Sequence, residues 1–306
     1  MIAVVHLIWG PLGLDPLRRF LASYEAHPAG AEHELVMVLN GVEPHQRAGL
    51  EAELARVRHR PIELADPVQD LAAYAQVLAR LEHDRVCFVN SHSELLVADW
   101  LRKLDGALDE PRAGLVGASG SWASLRSYAF RKLGLPSAYG RVWPRGGGAL
   151  EEFRRIESER VGAPLPGGAR SFVYTALTLA DMTFGFTAFP SPHLRTNGFM
   201  AERSLLVRLL DAGARRKFNS YRLESGRRSI TAQVLESGLR ALVVDSEGNA
   251  FDSDDWPGSE TFWSGTQRHL MISDNQTRIY QSADPGRRRL LAQYAWGEHA
   301  PAAPAR

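Results

Sequence analysis

The sequence predicts an α/β protein: a Rossmann-like, mostly parallel sheet with helices on both faces. Three observations carry this. Apolar strand-like runs, "IAVVHLIW", "HELVMVLN" and "DRVCFVN", recur within the first ninety residues. Segments with apolar residues at three- and four-residue spacing separate them, and every run closes on a turn. Strands alternating with helices of this kind pack as a parallel sheet covered on both sides.

In order, "IAVVHLIW" is the first strand, and "DPLRRFLASYEAH" follows as a helix with Asp15 at its N-cap and Pro16 in its first turn. "HELVMVLN" is the second strand, "EPHQRAGLEAELARVRH" a helix, "RPIEL" a short strand and "VQDLAAYAQVLARLEH" another helix. "DRVCFVN" then runs into the polar cluster Asn90, Ser91, His92, Ser93 and Glu94 before a helix opening at "DWL". Ligands of open α/β sheets bind at the carboxyl ends of the strands, so this cluster is expected to face a crevice. After the strand and turn "AGLVGASGSWAS" the pattern loosens to about residue 170, read as helices joined by loops. "FPSPHLRTNGFMAERSLLVRLLDAG" reads as a Pro-rich turn leading into a helix, and "YRLESGRRSITAQVLESGLRALVVDSEG" as a turn, a helix and a strand.

The bulk numbers exclude several classes. With 36 Lys plus Arg against 35 Asp plus Glu over 306 residues, no overall field draws the chain to nucleic acid or an anionic membrane. The single cysteine, Cys87, excludes an internal disulfide framework and fits a reducing compartment. The apolar N-terminus lacks the basic flank of a signal peptide, and no window is long and apolar enough to span a bilayer. The expected location is cytoplasmic, with any membrane contact peripheral and at the inner face.

The stretch "FVNSHSELLVADWL" resembles the GT-A glycosyltransferases, in particular the large inverting family (family 2-like) whose strand commonly reads "FLNSDTE" before "P-x-WL". His92 stands where that family has a metal-binding Asp, so the acidic motif is degenerate. "ESGRRSITAQVLESGLRALVV" fits the later slot, where an acidic group precedes a helix and strand, and supplies Glu224. The resemblance implies a GT-A-like domain over 1–248, with 249–297 as a C-terminal extension packed on it and 298–306 as a disordered tail. It implies a nucleotide-sugar donor and an acceptor hydroxyl on a saccharide or envelope precursor. Carried over, the donor contacts are Trp9, Gly10, Asn40, Asp66, Asp70, Asn90, Ser91 and His92. The diphosphate or acceptor contacts are Arg195, Asn197, Arg227 and Arg228. A divalent cation, manganese or magnesium, would fall to His92, Glu94 and Asp274.

The chemistry explains the polarity. Sugar transfer builds negative charge on a departing diphosphate, which either a metal or guanidinium groups can meet. The attacking hydroxyl needs a base, for which Glu224 is the candidate, placed here at the start of a helix. Simpler readings stand beside these: Asn90 as a helix cap, Asp274 and Asn197 as turn formers, and Trp122, Trp256 and Trp263 as core. His269 reads as structural, and "ARRK" and "GRRRLL" read as solvated faces. The alternatives are a non-catalytic nucleotide- or sugar-binding protein of the same fold, or another α/β enzyme such as a nucleotidyltransferase or dehydrogenase. Neither "GxGxxG" after the first strand nor "GxxxxGK[ST]" is present to favour the latter.

Overall fold

The computed structural model describes residues 1–132, 135–139, 179–210 and 217–300. Its strands are β1 (Ile2–Trp9), β2 (His33–Asn40), β3 (Arg60–Glu63), β4 (Arg85–Val89), β5 (Glu94–Leu95), β6 (Ala113–Gly117), β7 (Gly120–Ser121), β8 (His193–Leu194), β9 (Phe199–Glu202), β10 (Arg240–Val244), β11 (Ala250–Phe251) and β12 (Ile272–Ser273). Eight of them form one sheet in the order β11-β10-β6-β9-β4-β1-β2-β3. All run parallel except β9 and β11. The chain therefore adopts the expected α/β class with its mostly parallel sheet. The pairs β5–β12 and β7–β8 lie beside it as two short antiparallel ribbons.

Alternation along the strands divides the core in two. From β1, Ala3, Val5 and Leu7 enter one apolar cluster, while Ile2, Val4 and Ile8 enter the other. Burial on both faces explains why these strands read as continuous apolar runs. Cys87 is fully buried in the second cluster, and burial pushes its thiol well above the usual range. The first helix spans Asp15–Ala26 with Leu14, not Asp15, at the cap position. Asp15 sits one step inside, where an acidic side chain still favours the helix N-terminus.

Of the strands that the sequence reading does not assign, the central one is β9. "FMAE", expected as the approach to a helix, is β9, and it fills the gap between β4 and β6 against the direction of both. Four residues are too few for a periodic signal; their burial (Phe199, Met200 and Ala201) is what identifies them.

The C-terminal segment shares the main core. Trp256, Phe262, Trp263, Tyr280 and Trp296 belong to the same apolar cluster as Val5, Val36 and Phe88. The Trp296 indole N–H donates to the Phe262 carbonyl at 2.8 Å. Edge strand β11 lies beyond residue 248, so the sheet itself continues past the expected boundary. Glu298 and His299, expected to begin a tail, are also placed: they complete the 3₁₀ turn Gly297–His299, and the His299 ring meets Trp122 edge-on at 5.2 Å. Residues 301–306 lie outside the described residues. Trp296→Ala is expected to lower unfolding free energy by about 3–5 kcal/mol. Chemical denaturation followed by fluorescence should show this as a shift of a single transition, with no separate unfolding of the C-terminal segment.

Candidate functional site

The carboxyl ends of β1, β2 and β4 converge on one crevice. Gly10 is required there by close approach, because a Cβ would lie 2.0 Å from the Gly41 carbonyl oxygen. Asn40 is fully buried, and its amide donates to the Val68 carbonyl at 2.7 Å while accepting from the Val68 N–H at 3.0 Å. Beyond β4, the Asn90 side-chain oxygen accepts from the His92 N–H at 2.8 Å, an Asx turn. The Ser91 hydroxyl donates to the Leu7 carbonyl at 2.7 Å, and that of Ser93 to the Asn197 carbonyl at 2.5 Å. Asn90 is thus no helix cap. The next helix spans Trp100–Leu108, with Asp99 at its cap position in the left-handed region (φ 61°). The polar run instead shapes a turn at the mouth of a cleft.

That cleft, about 420 Å³, is lined by Trp9, Asn40, Asp70, Asn90, Ser91, His92 and Glu224 among others. Asp70 opens the helix Asp70–Leu78, whereas Asp66 is exposed and outside the lining. His92 is half-buried; burial foremost, then the neighbouring Arg278, lowers its pKa.

Glu224 and Tyr221 also line a second cavity of about 450 Å³, with Tyr128, His193, Arg195 and Trp263 in its wall. Glu224 lies in the last turn of the helix Lys217–Ser225, not at a helix start as the sequence suggested. Negative partial charge gathers at that end and opposes ionisation. Burial foremost, then Asp70, raises the carboxyl to about 7, against the opposing pull of Arg195 and the Thr196 N–H. His193, which the sequence reading passed over, is driven by burial down to about 4. Its Nδ1 lies 2.8 Å from the Ser191 carbonyl, an oxygen that only accepts, so Nδ1 carries the proton.

Two guanidinium groups occupy the carboxylates expected to hold a metal. Arg195 Nη2 donates to Asp274 Oδ2 at 2.7 Å in a pair whose side chains are only 11% and 2% exposed. Asp274 Oδ1 meanwhile caps the helix Asn275–Ser282 by accepting the Thr277 N–H. Arg195, before the other contacts a counterweight to burial, holds the Asp274 carboxyl below its ordinary range. Glu94 pairs with Arg278 Nη1 at 3.2 Å, and Arg278 Nη2 donates to the His92 carbonyl at 3.2 Å. His92, Glu94 and Asp274 therefore do not form a ligand set. Among the described residues, the three such groups whose ligand atoms fall within 4.8 Å of one another are Asp245, Glu247 and His269, outside both cavities. Asp245 there closes its own loop, accepting the N–H groups of Glu247 and Asn249 at 2.9 and 2.8 Å.

Apart from Trp263, the remaining candidates lie outside the linings of these two cavities. Asn197 is fully buried, its amide donating to the Ile272 carbonyl and accepting the Ser119 hydroxyl, both at 2.7 Å. Arg227 and Arg228 are exposed, and Arg227 donates to the Phe184 carbonyl at 3.3 Å. Trp122 and Trp256 are buried core residues, while Trp263 both packs in the core and lines the second cavity. "GRRRLL" lies in the helix Pro285–Trp296. Most of "ARRK" falls outside the described residues, as do residues 140–170, part of the loops expected to shape an acceptor pocket. Among the described residues no helix is long and apolar enough to cross a membrane.

No protein-family model matches the chain, and no curated protein matches it. Solved structures similar to it include the mannosyltransferase PcManGT from Pyrobaculum calidifontis, with TM-score 0.43 and 12% identity over 95% of this chain and 67% of that one. S. aureus TarS 1-349 gives TM-score 0.31 and 15% identity over 38% of this chain and 34% of that one, so the chain spans about a third of it. GalNAc-T7 gives TM-score 0.32 and 12% identity over 38% and 22%. At such scores the functional reading rests on the site's own geometry.

Glu224 also links stability to pH. Above 4.5 the unfolded chain ionises this group, whereas the folded chain keeps the proton up to about 7, so its contribution is greatest in acid and fades between those values. Wild type should lose up to about 3 kcal/mol relative to Glu224→Gln as pH rises through that interval. Urea unfolding of both proteins at pH 5 and pH 8 checks this; parallel pH dependence would contradict the buried-carboxyl assignment.

Proposed function

We propose that the chain is an inverting glycosyltransferase, moving a sugar from a nucleotide-activated donor to a hydroxyl of a saccharide or cell-envelope precursor. The observation that carries this reading is the place of Glu224: one carboxyl, raised to about 7, forms part of the wall of two adjoining cavities. The donor lies in the cleft at the strand ends, with its base and ribose against Trp9 and Asp70 and its diphosphate toward the Asn90–His92 turn. The acceptor enters the second cavity.

Ionised Glu224 takes the proton of the acceptor hydroxyl, whose oxygen attacks the anomeric carbon as the bond to the diphosphate oxygen breaks. A carboxyl titrating near neutrality is ionised often enough to act, yet basic enough to accept a proton in the transition state. His193, at about 4, is the weaker base in the same cavity. Arg278, bonded to the His92 carbonyl, supplies positive charge beside the turn. A divalent cation on His92, Glu94 and Asp274 fits poorly, because two of the three are ion-paired to arginine.

A non-catalytic binding protein of the same fold is the second reading. It is favoured by the side chains of Asn40, Ser91 and Asn197, which bond to the protein itself. Release of nucleoside diphosphate from a panel of nucleotide sugars, with and without saccharide acceptors, separates the two. Glu224→Gln is expected to lower turnover by about 10²–10⁴-fold while leaving nucleotide affinity within a factor of about two. A wild type that binds a nucleotide sugar and never consumes it selects the second reading. In wild type, kcat/KM should climb with pH and level off above about 7. Turnover should also persist in excess EDTA; its abolition, with recovery on added manganese, would refute the cation-independent arrangement.

A further inference from the structure

Much of the wall of the second cavity is aromatic: Tyr128, Tyr221, Tyr294, Phe262 and Trp263 all contribute to it. Aromatic faces hold a sugar by its apolar side but do not tell one hydroxyl pattern from another, a task left to the few polar atoms of a pocket. Several of these are already engaged by the protein. Ser121 Oγ accepts the Ala123 N–H at 3.0 Å, and Ser225 Oγ donates to the Tyr221 carbonyl at 3.2 Å. The Trp263 indole N–H donates to the Gln276 carbonyl at 3.0 Å, and Arg195 Nη2 to Asp274 at 2.7 Å.

His193 differs. It stands in β8 opposite Ser121 of β7, so backbone pairing holds its place. Its Nδ1 donates to the Ser191 carbonyl at 2.8 Å, which fixes the ring and leaves a lone pair on Nε2. Among the described residues no group donates to Nε2, and that nitrogen keeps accessible surface on a residue 8% exposed and part of the cavity wall. Burial holds the imidazole near 4, so at pH 7 the ring is neutral and Nε2 accepts without donating. A hydroxyl or an N–H satisfies such an atom; a carboxylate, phosphate or carbonyl oxygen would set lone pair against lone pair.

Resting on the transferase reading above, we propose that His193 Nε2 accepts a second hydroxyl of the acceptor sugar and, by holding it, selects which hydroxyl meets Glu224. The class of acceptor is then a neutral sugar ring with at least two unsubstituted hydroxyls, one taken by the carboxyl and one by the imidazole of the same wall. A sugar that is deoxygenated, oxidised or capped at the second position leaves Nε2 unpaired and is discriminated against.

NMR of the full chain labelled with ¹⁵N in its histidine rings tests this. At pH 7 His193 should show a protonated Nδ1 and a bare Nε2, its signals identified by their loss in His193→Gln. Methyl α-D-mannoside, methyl β-D-glucoside and methyl β-D-galactoside are then titrated, with and without GDP or UDP. At least one should lower the Nε2 frequency, as a hydrogen bond to a bare ring nitrogen does. Within the mono-deoxy analogues of that sugar, one should bind wild type about ten-fold more weakly than the parent. That analogue alone should bind wild type and His193→Phe alike, which is the signature of a direct pair. His193→Gln, whose side-chain oxygen can take the same hydroxyl, should keep more affinity for the parent sugar than His193→Phe. A protonated Nε2, a signal unmoved by all three sugars, or a deoxy series that loses the same factors in wild type and variant would overturn the proposal. Should His193→Phe not fold, the wild-type spectra and the deoxy series with His193→Gln decide it in the same way. A sugar that moves the Nε2 signal while no nucleotide sugar is ever consumed would sink the transferase reading and leave the hydroxyl site standing.

Discussion

The buried pair between Arg195 and Asp274 is the constraint on which most of the site depends. It joins the loop after β8 to the cap of a helix eighty residues later in the chain, in surroundings where neither charge has adequate water. Removing one partner of such a pair leaves an uncompensated charge, so both side chains are fixed in place. Three properties follow from that one contact. The C-terminal segment is tied to the sheet, Asp274 is withdrawn from any metal, and Arg195 is fixed in the wall of a cavity. Arg278 repeats the same arrangement on a more open scale with Glu94 and the turn after β4.

Glu224 is set between opposing influences. Burial, Asp70 and the helix end favour its proton, while Arg195 and the Thr196 N–H favour its charge. The outcome near neutrality is a balance of several moderate effects rather than a single strong one. His193 has no comparable support against burial, and its value falls well below neutrality. Two titratable groups in one cavity are thereby separated in proton affinity, as acid–base chemistry requires of its participants.

The sheet was legible in the sequence because strands buried on both faces write themselves as unbroken apolar runs, and β1, β2 and β4 were located that way. The polar turn at Asn90 was legible for a related reason, since polar groups directly after a core strand have to be accommodated somewhere. What each of them does was not legible. Asn40, Ser91 and Asn197 turn out to bond across the fold to Val68, Leu7 and Ile272, partners whose proximity only the tertiary structure creates. Glu224 lies in the crevice lining but at the other end of its helix from the one the sequence suggested, because "SGRR" resembles a helix start as well as a helix stop. Arg278 was missed although it stands in "DNQTRIY", four residues from a candidate; its role depends on Glu94, far away in sequence. His193 carried no local signal at all.

The reversed strand β9 has a consequence for how the chain comes together. It is the centre of the sheet, yet it follows β6 by some eighty residues. During synthesis β4 and β6 emerge first, each with an open edge facing the vacancy between them, and β6 has no neighbour in the main sheet until β9 and then β10 follow. Exposed edges of this kind invite pairing with other chains. The interval before Phe199 leaves the ribosome therefore leaves those two edges open to mispairing, and the crevice is not complete until later still, when Glu224 joins its wall.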